Sequence, residues 1–138
     1  MHELWLIGIA AGIGVALGLA AGGAFARINR APAASAAVAL VLGGVLGWLI
    51  VDWKGGVAGA VAGALSGFGA GTLARNALRR GGTPAGTAIL FAAAGVIALA
   101  VSLIPILGFV EAVAIPAVAL RSRQRADEKY AGLRTLAK

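Results

Sequence analysis

GGVAGAVAGALSGFGAG, residues 55–71, places a glycine at every fourth position: Gly55, Gly59, Gly63, Gly67 and Gly71. Residues four apart share one face of an α-helix, so these five form a row down one side. In a water-soluble helix each glycine costs about 1 kcal/mol relative to alanine. In lipid the balance changes, because small residues let two backbones approach closely and packing replaces the missing hydrophobic drive. The uncharged run extends from 55 to 74, which is 20 residues and the length that crosses a hydrocarbon core of about 30 Å. Residues 55–74 therefore read as a membrane-spanning helix with a glycine-zipper face. Four residues exceed one turn by about 40°, so the row winds slowly and fits a right-handed crossing.

The same pattern spreads outward. Residues 4–26 form an uncharged run of 23 and residues 33–51 one of 19. The first carries Gly14, Gly18 and Gly22 in a matching row, and the second carries Gly43 and Gly47. Between the runs lie short polar breaks, RINRAP (27–32), DWK (52–54) and the basic stretch 75–84. Breaks this brief make neighbouring helices antiparallel hairpins. Pro32 and Pro84 open the helices that follow them, where a missing N–H costs nothing.

The last apolar stretch, 85–120, holds 36 residues and one charge, Glu111. As one helix it would extend about 54 Å, well beyond a bilayer core. Pro105, Gly108 and Pro116 interrupt it, and an internal proline breaks or kinks a helix. We read a span over 85–104 and a short return or re-entrant segment over 106–120. The expected fold is all-α and polytopic: one bundle over 1–120 with four long spans and a short return, then a basic tail over 121–138.

Composition agrees. Hydrophobic residues make up 60% of the 138 and charged residues 12%, with a mean hydropathy of +0.94. A soluble domain has about 25% charged residues, and a disordered chain has high charge and low hydrophobicity. Both classes are excluded. With no cysteine, disulfides and thiolate chemistry are excluded too. The formal charge of +7 is concentrated in the breaks and the tail, which is the pattern of membrane orientation and not of a nucleic-acid-binding surface.

Cytoplasmic loops carry the excess of Lys and Arg. With the N-terminus outside and a return at Pro105, eleven of the twelve basic residues share the cytoplasmic face. Trp5, Trp48 and Trp53 then reach the outer interface, where tryptophan is favoured. We expect a multi-pass protein of a bacterial or archaeal inner membrane with its basic tail cytoplasmic. Ala24-Phe25-Ala26 resembles a signal-peptidase site, but the start MHELW lacks the basic residues of a signal peptide. An uncleaved first helix is expected. AGGAFAR (21–27) also matches GAGTLAR (69–75), as two similarly oriented hairpins would.

Few residues offer chemistry. Glu111 is the one ionisable group inside an apolar run, and such groups commonly face a cavity or a partner. With Pro105 and Gly108 beside it, it defines a candidate transport site, since broken helices supply free carbonyls for ions. The simpler reading places Glu111 about 7 to 9 Å below the outer surface, where its carboxylate reaches the interface. Asn29 and Asn76 read as interfacial polar residues or caps. Arg121, Arg123, Arg125 and Lys129 form a candidate surface for anionic lipid. No second carboxylate, triad histidine, metal cluster or phosphate loop accompanies them, so no enzyme, cofactor or metal site is expected.

The leading expectation is a structural or accessory membrane protein. It would act through glycine packing at Gly14, Gly18, Gly22, Gly55, Gly59, Gly63, Gly67 and Gly71, as a homo-oligomer or a subunit of a membrane complex. A small channel or transporter using Glu111 is the alternative, and an anionic-lipid-binding protein using the tail is the third.

Overall fold

The computed structural model describes residues 2–104, 107, 109–118 and 121. Four long helices follow one another: α1 (His2–Ala24), α2 (Ala31–Ile50), α3 (Trp53–Arg79) and α4 (Pro84–Ser102). A short apolar helix, α5, covers Phe109–Val118. No strand occurs among the described residues. The fold is all-α, and each of α1 to α4 is long and apolar enough to cross a membrane.

Local chemistry sets the helix ends. Asp52 caps α3, its carboxylate accepting the Lys54 N–H at 2.8 Å. Thr83 caps α4, with its hydroxyl accepting from the Gly86 N–H at 3.2 Å and Pro84 in the first turn. Arg30 caps α2 without a side-chain hydrogen bond, and Pro32 sits in that helix's first turn.

The clearest departure from expectation is the end of α3. The basic stretch 75–84 is not a loop, because the helix runs on through Arg75 and Arg79. It stops in a Schellman motif: Gly82 N–H reaches the Ala77 carbonyl at 3.0 Å and Gly81 N–H reaches that of Leu78 at 3.2 Å. The motif needs a left-handed residue after the helix, and Gly81 supplies it with φ of 91°. The arginines before it pose no obstacle, since Arg is a good helix former and cations are favoured near a helix C-terminus. The other spans shift by one to three residues from 4–26, 33–51, 85–104 and 106–120.

α1 and α3 form the inner pair and run parallel. α2 packs antiparallel on α3 and also touches α1, while α4 packs antiparallel on α1. Gly18 lies against Ser66 and Gly22 against Ala70, the same step of 48 that separates the matching segments 21–27 and 69–75. The two hairpins thus stand side by side in one orientation.

The core is made of small side chains. Val15, Ser35, Ser66 and Ser102 are the largest that are fully buried, and alanines dominate the remainder. Large apolar side chains point outward: Leu49 is 75% exposed, Val113 71% and Ile89 69%. Such a surface opposes solution in water and fits lipid.

Candidate functional site: helix seams, a buried carboxylate oxygen and a basic end

The glycine row of α3 is spent inside the chain. Along the α2–α3 seam, Gly55 meets Gly47, Gly59 meets Gly43, Gly63 meets Ala39, Gly67 meets Ser35 and Gly71 meets Ala31 and Pro32. A methyl group at Gly67 would sit 2.6 Å from the Ser35 carbonyl oxygen, and one at Gly71 2.8 Å from the Pro32 Cα. No real side chain fits such spaces. The partner row on α2 is Ala31, Ser35, Ala39, Gly43 and Gly47, all buried. By glycine alone only Gly43 and Gly47 of this row stand out in the sequence; with alanine and serine counted as small residues, the same four-residue step runs along all of α2.

Gly14, Gly18 and Gly22 of α1 pack on the adjoining side of α3. A methyl group at Gly14 would lie 2.9 Å from the Gly63 nitrogen, and one at Gly43 3.2 Å from the Gly14 Cα. Gly14, Gly43 and Gly59 therefore mark a point where three helix backbones converge.

Serines fasten the seams. The Ser35 hydroxyl lies 2.6 Å from the Gly67 carbonyl oxygen across the seam and 2.6 Å from that of Ala31 on its own helix. One hydroxyl hydrogen serves both in alternation. Ser66 donates toward the carbonyls of Val15, on α1, and Gly63, at 3.3 and 3.2 Å. Each buried hydroxyl thus avoids the cost of an unsatisfied donor.

On the α1–α4 seam a methyl at Gly12 would overlap the Ser102 side chain, and one at Gly95 would come within 2.9 Å of the Ala16 carbonyl oxygen. Beyond Ser102 the chain turns. The Trp5 indole N–H donates to the Leu103 carbonyl at 3.2 Å, and the Phe109 ring lies over Gly8. Ala112 and Ile115 then pack on the buried cluster that includes Ala11, Val15 and Ala98. α5 therefore re-enters the bundle. At ten residues it is about 15 Å long, half a hydrocarbon core, so 106–120 is no full span within the described residues. Glu111 sits on α5 one turn before Ile115, with its Oε2 atom buried and no hydrogen-bond partner among the described residues. Pro105 and Gly108 lie outside the described residues, as do Arg123, Arg125 and Lys129; Arg121 is exposed.

Charge divides between the two ends. One end carries Glu3, Asp52 and Lys54, and Lys54 pairs with Glu3 at 3.7 Å. Trp5, Trp48 and Trp53 share that end, placed by the register of the seams. At the other end stand Arg27, Arg30, Arg75, Arg79 and Arg80. The Arg75 guanidinium donates to the Asn29 carbonyl, pinning the turn between α1 and α2 to α3. Asn29 thus acts through its backbone, and Asn76 through its carbonyl, which accepts the Arg80 N–H at 3.2 Å. Among the described residues no group of three potential metal ligands comes together.

Protein-family models, curated proteins and solved structures were compared with this chain, and none matches it.

Proposed function

We propose that this chain is a small multi-pass membrane protein of structural or accessory type, without catalytic activity, that associates with a second copy of itself. The observation behind this reading is where the small residues lie. Glycine and serine rows join α1, α2 and α3 backbone to backbone, and they leave continuous outer faces of large apolar side chains. On α3 these are Val57, Val61, Leu65 and Phe68, spaced so that one side of the helix presents them all. With the small residues used inside, this flank of α3 is the surface left for a second copy, and association there would rest on van der Waals packing alone, since lipid is as apolar as these side chains. The N-terminus lies outside and the arginine-bearing end inside, in accord with the positive-inside rule.

Gly63 and Gly67 hold the fold, so replacing them tests folding and not association. The association test is Val61→Trp with Leu65→Trp, read by counting copies per particle in native nanodiscs. The unmodified chain should give two or more copies and the double variant one. A unmodified chain found only as single copies abandons self-association.

Glu111 favours a second reading, a small channel or transporter. A carboxylate oxygen buried without a partner is costly in an apolar setting, and a passing proton or cation would offset that cost. Under this reading Glu111→Gln changes cation or proton flux into liposomes. Equal flux in both proteins removes it.

A further inference from the structure

At the arginine-bearing end, the last turn of α1 and the first turn of α4 border a cleft of about 300 Å³. Its lining includes Gly23, Ala24, Pro84, Ala85 and Ala88, with Arg27 as the one cation among the lining residues. The shape follows from the sequence. α1 stops at Ala24 and the chain swings away toward α2, while Pro84 begins α4 with small residues on either side. Gly23 packs closely on Ala88 and Phe91 of α4, and the exposed Ala24 and Ala85 beside that contact are too small to fill the space.

Arg27 is exposed and makes no hydrogen bond or ion pair among the described residues. Arg75 anchors the turn that carries it by bonding the Asn29 carbonyl. Arg30, Arg79 and Arg80 lie at the same end and are also exposed. The described carboxylates are elsewhere: Glu3 and Asp52 at the opposite end, and Glu111 on α5. Among the described residues, an anion entering the cleft meets the Arg27 guanidinium and no opposing carboxylate. α1 spans 23 residues, about 34 Å, so its C-terminal end reaches the level of lipid phosphates when its start lies at the other interface.

We propose that this cleft binds the phosphate headgroup of an anionic membrane lipid. Arg27 holds the phosphate oxygens through its planar fork of donors, and the glycine and alanine walls admit the glycerol portion beneath. Basic pockets between membrane helices recognise anionic headgroups by this combination of charge and shape.

The test uses the full chain in phosphatidylcholine vesicles, with spin-labelled phosphatidylglycerol or phosphatidylcholine as the probe and motionally restricted lipid as the signal. The chain should select phosphatidylglycerol. Arg27→Gln should lower that selectivity about five-fold, the share of one cation near an anionic surface. Ala85→Phe, which fills the cleft at an exposed position without changing charge, should lower it as well. Lys54→Gln, at the opposite end, should leave it unchanged, and helix content by circular dichroism should be equal in all four proteins. Three results would overturn the proposal. Selectivity could survive both Arg27→Gln and Ala85→Phe. It could fall with Arg27→Gln and not with Ala85→Phe, which assigns the effect to diffuse surface charge. Millimolar inorganic phosphate could abolish it in the unmodified chain, which makes the site one for a free anion.

Discussion

At the scale of single residues, this protein depends on side chains that are absent. Gly59 illustrates the point: a methyl there would overlap the Gly43 carbonyl oxygen and also lie 3.2 Å from that of Ala10. Two neighbouring helices, α1 and α2, would have to move at once. Gly59→Leu should therefore cost more than the about 1–3 kcal/mol of ordinary overpacking. Unfolding in a mixed-micelle SDS titration, followed by circular dichroism, measures it. Ser35→Ala should cost far less, about 0.6 kcal/mol, the mean of interhelical hydrogen bonds in membranes, because it removes one bond and leaves the close approach intact. If Ser35→Ala proved as damaging as Gly59→Leu, hydrogen bonding and not backbone proximity would govern the seam. Glycine matters differently at Gly81, where φ of 91° sets the end of α3.

At the scale of elements, the helices differ in what holds them. α1 and α3 are each pinned on two sides, whereas α4 relies on α1 and makes slight contact with α3. α5 is held by fewer features still: the Phe109 ring over Gly8, with Ala112 and Ile115 on the core. A methyl at Gly8 would sit 3.2 Å from that ring, so a larger side chain has to displace it. Gly8→Leu should release α5 while α1 to α4 stay folded. Limited proteolysis should then cut faster after Ser102, with the fragment up to that point still protected and helix content lowered by one short helix at most. Loss of protection throughout would mean that α5 is integral to the bundle. Releasing α5 also brings Glu111 into contact with new surroundings, so the same variant bears on the transport reading.

At the scale of the whole molecule, the bundle is polarised. Tryptophans and a Glu3–Lys54 pair mark one end, and five arginines mark the other. Interfacial aromatics and inward-facing basic residues act together to orient a membrane protein. A chain without cysteine allows a clean test of this orientation in intact cells. A single cysteine at Gly81, in the turn between α3 and α4, should resist a membrane-impermeant maleimide until the membrane is opened. A single cysteine at Asp52, in the turn between α2 and α3, should label at once. The reverse pattern would invert the assigned orientation and place the arginine end, with its cleft, outside.

Much of this was legible in the residues alone. Spacing is a local property, so uncharged runs of about 20 residues specify helices long and apolar enough to cross a membrane without reference to any neighbour. Short polar breaks likewise specify hairpins. The end of α3 lies beyond the uncharged run because arginine stops no helix; the signal that ends it is the glycine pair at 81–82. What remained open was partnership. A row of glycines states that something comes close, and not which helix does so. Only the tertiary structure shows that Gly55 to Gly71 face α2 while α1 takes the adjoining side, because that choice depends on the relative rotation of helices far apart in the chain. The cleft beside Arg27 is of the same kind, since its two walls are separated by some sixty residues and the space between them exists only once α4 has docked on α1.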